Sequence, residues 1–220
     1  MIKRIKLKRL SCVIFFLLIV FNLALAQEPT RDILKQNVTS LEVTKENSVH
    51  VLALLASKYK VPIGVEVSSI DVDRISKDTC ITKIKDGNVQ EVLEAVIACH
   101  TDLRWKMMDG VINVSSISSS EPFLDTIISD FEIVEKTIPE IRRAISERPE
   151  VKRILSETRS AIDELVLSPG ATSDQCSQLT FSVHNVTVRE ILNYIVRTTN
   201  KKYWGIARWG NKKNIWVIIE

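Results

Sequence analysis

Val89-Gln90-Glu91-Val92-Leu93 followed by Trp105 returns as Val188-Arg189-Glu190-Ile191-Leu192 followed by Trp204. A constant offset of about a hundred residues marks a duplicated supersecondary unit. Ile84 aligns with Val183 upstream, and Val111-Ile112-Asn113-Val114 aligns with Ile215-Trp216-Val217-Ile218 once the second hairpin loop is made longer. The residues held in common pack or cap helices and none is reactive, so the repeat points to a binding or assembly module ahead of an enzyme.

Each copy carries a helix signal. Val89, Val92, Leu93, Val96 and Ile97, and then Val188, Ile191, Leu192, Ile195 and Val196, recur at the spacing of a single helical stripe. Asn88 with Glu91, and Thr187 with Glu190, fit a capping box, in which a short polar side chain and a carboxylate satisfy the free amides of the first turn. Cys80, Thr82 and Ile84, like Leu179, Phe181 and Val183, alternate as one face of a strand ahead of the helix. After it comes a hairpin. Asp109-Gly110 suits a tight type I′ turn, and the stretch around Gly210-Asn211 forms a longer loop. Phe131, Ile133, Thr137, Ile138, Glu140, Ile141 and Ile145 match Phe181 to Ile195 position for position, a third partial copy with its own cap pair. Beyond Pro149, Val151, Ile154, Leu155 and Ile162 share one side of a further helical run. Near the start, Val49, Leu52, Ala53 and Ala56 predict a helix leading into the strand Ile63 to Val67.

These signals predict an α+β protein of two tandem small units, helices packed on short β-sheets in a βαβ-βαββ order. The expected boundaries are a signal peptide over 1–26, a lead over 27–40, a first unit over 41–116, a Ser-rich linker over 117–122 and a second, more divergent unit over 123–220.

The amino terminus sets the expected compartment. Lys3, Arg4, Lys6, Lys8 and Arg9 precede an apolar run from Val13 to Leu25 that ends in Ala24-Leu25-Ala26, the pattern of a cleaved secretory signal. An uncleaved anchor is the alternative; after cleavage no stable transmembrane segment is expected. Five of the 30 Lys and Arg and none of the 27 Asp and Glu lie in that segment, so the mature chain carries a net charge of about −2 rather than +3. Lys201-Lys202 and Lys212-Lys213 are short loop pairs, not the concentrated basic face that phosphate binding needs, and no nucleic-acid partner is expected.

From Ser48-Val49-His50-Val51-Leu52 through Ile63-Gly64-Val65-Glu66-Val67, Val89 to Ala95, Leu103-Arg104-Trp105 and Val111 to Val114, the first unit resembles the secretin and TonB short N-terminal domain. The second unit resembles it more loosely. The motif is a hydrophobic pattern rather than a set of reactive groups. The resemblance implies two helices packed on small sheets, a bacterial envelope setting, periplasmic or secreted, and docking of an envelope protein partner. It does not extend to transport, because no pore or receptor barrel accompanies the pattern in this sequence.

No catalytic residue, cofactor or metal is assigned. His50, His100 and His184 stand in no nucleophile, acid/base or HExxH pattern, and Cys80, Cys99, His100 and Cys176 lack metal-ligand spacing. Solvated or capping roles account for the histidines. In the last strand Ile215, Val217 and Ile219 share one face and Trp216 and Ile218 the other, so both faces ask for cover. If that cover is external, Tyr203, Trp209 and Trp216 are the binding candidates, since aromatics anchor interfaces; a second layer of the same unit is the plainer reading. Trp105 and Trp204 read as core. Three cysteines remain after export. Cys80 opens a strand and Cys99 closes the following helix, and the two legs, each roughly 16 to 20 Å long, return to one end. A Cys80–Cys99 disulfide is expected, with Cys176 free or available for an intermolecular bond. The function expected is a protein-interaction or assembly module, with a homo-oligomer allowed. The alternatives are a small-ligand or carbohydrate binder and a small periplasmic hydrolase or metal-dependent enzyme.

Overall fold

Ile63-Gly64-Val65-Glu66-Val67 alternates bulky apolar residues with a glycine and a carboxylate, and it runs between strands drawn from the two halves of the chain. The computed structural model describes residues 32–46, 48–67, 80–117, 120–163, 178–209 and 214–219. Their order is β1 (Asn37–Glu46), α1 (Ser48–Tyr59), β2 (Ile63–Val67), β3 (Cys80–Asn88), α2 (Val89–Cys99), β4 (Leu103–Met108) and β5 (Val111–Ser116). The chain continues with β6 (Ile127–Lys136), α3 (Ile138–Ser146), α4 (Pro149–Glu157), β7 (Ala161–Asp163), β8 (Leu179–Thr187), α5 (Val188–Thr198), β9 (Tyr203–Trp209) and β10 (Asn214–Ile219). This is a mixed α+β protein with several sheets.

One six-stranded sheet, ordered β4-β5-β2-β9-β10-β7, joins the halves. β4 with β5 and β9 with β10 are antiparallel; β5 with β2, β2 with β9 and β10 with β7 are parallel. Two-stranded antiparallel ribbons, β1 with β3 and β6 with β8, complete the β structure of the described residues. Pairing directions fix which face each half covers. β9 runs parallel to β2 and therefore opposite to β4, so the second hairpin is turned over about an axis lying across the strands. Its core falls on the other side of the sheet. Ile63, Val65, Ile112 and Val114 belong to a core with Val51, Leu52, Leu55, Val92, Leu93 and Val96 of α1 and α2. Trp204, Ile206, Ile215, Val217 and Ile219 belong to a second core with Ile141, Ile191, Leu192 and Ile195 of α3 and α5.

Local chemistry explains the element ends. Asn88 and Glu91, and Thr187 and Glu190, form reciprocal capping boxes. At α3 the N–H and hydroxyl of Thr137 donate to Glu140 at 2.8 and 2.9 Å, with Pro139 in the first turn, where no helical donor is lost. Those bonds hold the Glu140 carboxyl below its ordinary value of 4.5. Asp109 and Gly110 both take positive φ, 51° and 75°, as a two-residue I′ turn requires.

Four expectations change. The first core begins upstream of Leu41, since Val38 is buried and Ile33 and Leu34 pack on it. Ser115 and Ser116 close β5 inside the first unit as expected, but Glu121, within the linker expected over 117–122, is buried together with Phe123, Leu124 and Thr126 that follow it. The carbonyls of Leu124 and Thr126 accept the N–H groups of Arg189 and Val188, so this turn satisfies the start of α5. Ile162 lies in β7 rather than on a helix. Trp105 pairs with Val114 and Trp204 with Ile219, so Ile219, not Ile218, occupies the place of Val114. The amino-terminal export pattern lies outside the described residues. Among the described residues no helix is long and apolar enough to cross a membrane.

Candidate interaction surface

The joint between the halves is built from residues of β2, α5 and β9. Gly64 pairs with Trp204, and a Cβ on Gly64 would stand 2.1 Å from the indole Cε2. The missing side chain is what lets the ring lie against the strand. The Trp204 indole N–H donates to Asn193 Oδ1 at 2.8 Å, and both residues are fully buried. Two residues along, Glu66 projects to the same side. It accepts a bond from Arg189 Nη2 at 2.9 Å and another from the backbone N–H of Glu121. Arg189 also donates to Asp125 at 3.1 Å, whose side chain is 54% exposed. A buried carboxylate is tolerated only with such partners. Lys202 seals the end of the joint: its carbonyl accepts from Ile63 at 2.8 Å and its ammonium donates to Thr199 O at 2.7 Å. Burial, followed by the charge of Lys60, lowers the Lys202 pKa.

β4 stands at the opposite edge of the same sheet and, among the described residues, has no strand beyond it. Ile117 N–H donates to Asp102 O at 2.7 Å. In an antiparallel ladder this directs the even residues of β4 toward β5 and leaves the backbone groups of Trp105 and Met107 pointing outward. The Leu103 N–H is taken by His100 O at 2.9 Å. Trp105 and Met107 are half-buried on the first core, and Arg104 and Lys106 are exposed on the other face.

The residues singled out from sequence are dispersed. Tyr203 is 7% exposed and packs into the first core with its ring over Gly205, so it is not a surface anchor: parallel pairing with Ile63 turns it inward. The side chains of Trp209 and Trp216 lie outside the described residues. Ile215, Val217 and Ile219 face the second core as the alternation requires. Cys80 and Cys99 stand at the far ends of β3 and α2. Cys99 is disulfide-bonded, and the side chain of Cys80 is not among those described.

Of the histidines, His50 is exposed, and His184 Nδ1 lies 2.7 Å from Asp130 on the exposed ribbon. His100 takes the capping one of its two expected roles: it is 3% exposed, and its backbone N–H closes α2 onto Val96 O and Ile97 O. Among the described residues no His, Cys, Asp and Glu group could hold a metal ion. Sequence reasoning missed Gly64, Glu66, Arg189 and Asn193. A glycine and a carboxylate inside an otherwise apolar strand were the available signals, but their partners lie far along the chain. The chain matches no protein-family model, no curated protein and no solved structure.

Proposed function

We propose that the chain is a protein-docking module of the bacterial envelope, built from two tandem units of the secretin and TonB short N-terminal kind and working in the periplasm or after secretion. One observation carries the reading: the two halves are held together by laying one strand edge along another, β9 on β2, a mode of contact that serves equally between chains. The export pattern and the hydrophobic resemblance of the first unit support the setting. The absence of any reactive group common to the repeats supports binding over catalysis. Cys80 is the proposed partner of Cys99, a bridge contributing about 3 kcal/mol to the first half; non-reducing peptide mapping that links Cys99 to Cys176 instead would reject it.

The test of function is cross-linking capture of the mature protein in envelope extracts. A defined protein retained in stoichiometric amount, and lost when the fold is denatured, is the expected result. Recovery of the chain alone, together with turnover of a small substrate by the purified protein, would replace docking with an enzymatic reading.

A further inference from the structure

We infer that the outer edge of β4 receives an extended acidic segment of a partner protein, added as a parallel strand; the inference rests on the docking reading above. The template is inside the molecule. Ile63 N–H donates to Lys202 O at 2.8 Å, so the even residues of β9, Trp204 among them, direct their backbone groups to β2. On β4 the residue at the same place in its hairpin, Trp105, directs its groups to the open edge, and so does Met107. The ladder that β9 makes with β2 is thus available on β4, with donors and acceptors at the same two-residue spacing.

Side chains define the chemistry of the occupant. Residues of an added strand alternate between faces. On one face they meet the half-buried Trp105 and Met107, which favour apolar partners. On the other they meet Arg104 and Lys106. Among the described residues Arg104 is engaged by Ser115 Oγ at 3.5 Å, and neither cation has a carboxylate partner there. Arg197 of α5 adds a third positive charge at this end, with Nη1 on Asp109 O at 3.0 Å, while the Asp109 carboxylate stays exposed at the turn. Opposite charges directly across a strand pair stabilise it and like charges weaken it. The fitting segment therefore alternates acidic with apolar residues.

Copies of this chain are a poorer occupant. The β2–β9 joint depends on the gap at Gly64 and on the Glu66–Arg189 pair, and the position in α2 matching Arg189 is Gln90, exposed and bonded to Glu94 at 2.7 Å.

The experiment uses the full mature chain and a fluorescent peptide alternating glutamate and valine, with a lysine–valine peptide as counterpart. The acidic peptide binds, more weakly at high salt. Binding falls about tenfold in the Arg104→Glu, Lys106→Glu double variant, whose unfolding midpoint is unchanged because both residues are exposed. Peptide binding protects the Trp105 and Met107 amides from hydrogen exchange. Met107→Pro, which removes an outward donor but none directed at β5, abolishes binding if it folds; the exchange measurement decides the point if it does not. Equal affinity for both peptides, no protection at Trp105 and Met107, or self-association through β4 in sedimentation would each overturn the inference. Capture of an envelope partner that the double charge reversal leaves intact would overturn it while leaving the docking function standing.

Discussion

Trp105 and Trp204 stand at the same point of two similar hairpins, each in the first strand after a box-capped helix, yet one is partly buried and the other fully buried. The motif does not explain the difference. β9 lies inside the six-stranded sheet with β2 on its flank, and β4 lies at its edge. Trp204 gains a floor at Gly64 and a hydrogen-bond acceptor in Asn193; Trp105 is only partly covered by the first core. The comparison teaches that equivalent sequence does one job in the interior of a sheet and is left available for another at its rim.

The sharpest way to break this comparison is to separate the halves. Residues 32–117 keep their core apart from Tyr203 and are expected to fold with marginal stability, as small domains do. Residues 120–219 lose the surface beneath Trp204 and Glu66, the buried one of Arg189's two carboxylate partners, and are expected not to fold alone. Denaturant titration of each fragment checks this; two equally cooperative fragments would show that the joint contributes little.

Within the intact chain, Trp204→Ala should cost about 3 to 5 kcal/mol, the range for a buried aromatic. Trp105→Ala should cost roughly 1 to 2 kcal/mol, since less apolar surface is removed. Urea midpoints compare them, and equal losses would deny the difference in environment. Next in size is Arg189→Met, which leaves Glu66 buried without its cation at a cost of about 3 kcal/mol, much of it recovered when Glu66→Leu is added. Gln90→Ala, at the corresponding place in α2, should stay within about 0.5 kcal/mol.

The smallest expected effect distinguishes the helices by pH. The Thr137 bonds lower the Glu140 pKa, so the ionised carboxylate contributes stability that is fully present above the unfolded value near 4.5 and is lost as pH falls through the lower folded value. Glu140→Gln should flatten the acid limb of the stability curve and leave its shape at neutral pH unchanged. The test is the urea midpoint followed from pH 7 down to pH 3.

Much of the fold was legible because the relevant forces act over a few residues. Apolar spacing in Val89 to Ile97 and Val188 to Val196 set the helices, the Asn88 and Thr187 boxes set their starts, and Asp109-Gly110 set a hairpin turn. The Ser-rich run has the composition of a linker, but Glu121 just beyond it is buried, and with Phe123, Leu124 and Thr126 it belongs to a turn that bonds α5 more than sixty residues away along the chain. Tyr203 misled for a similar reason: an aromatic next to a lysine pair reads as surface until β2 is laid beside it.

By itself the sequence determined the helices, their capping chemistry and the duplicated pattern of apolar faces, since periodicity and first-turn hydrogen bonding are local. The choice of strand neighbours was decided only in the tertiary structure. Backbone ladders are chemically alike from strand to strand, so it took Gly64 making room for Trp204, and Glu66 paired with Arg189, to place β9 on β2 and leave β4 at the edge.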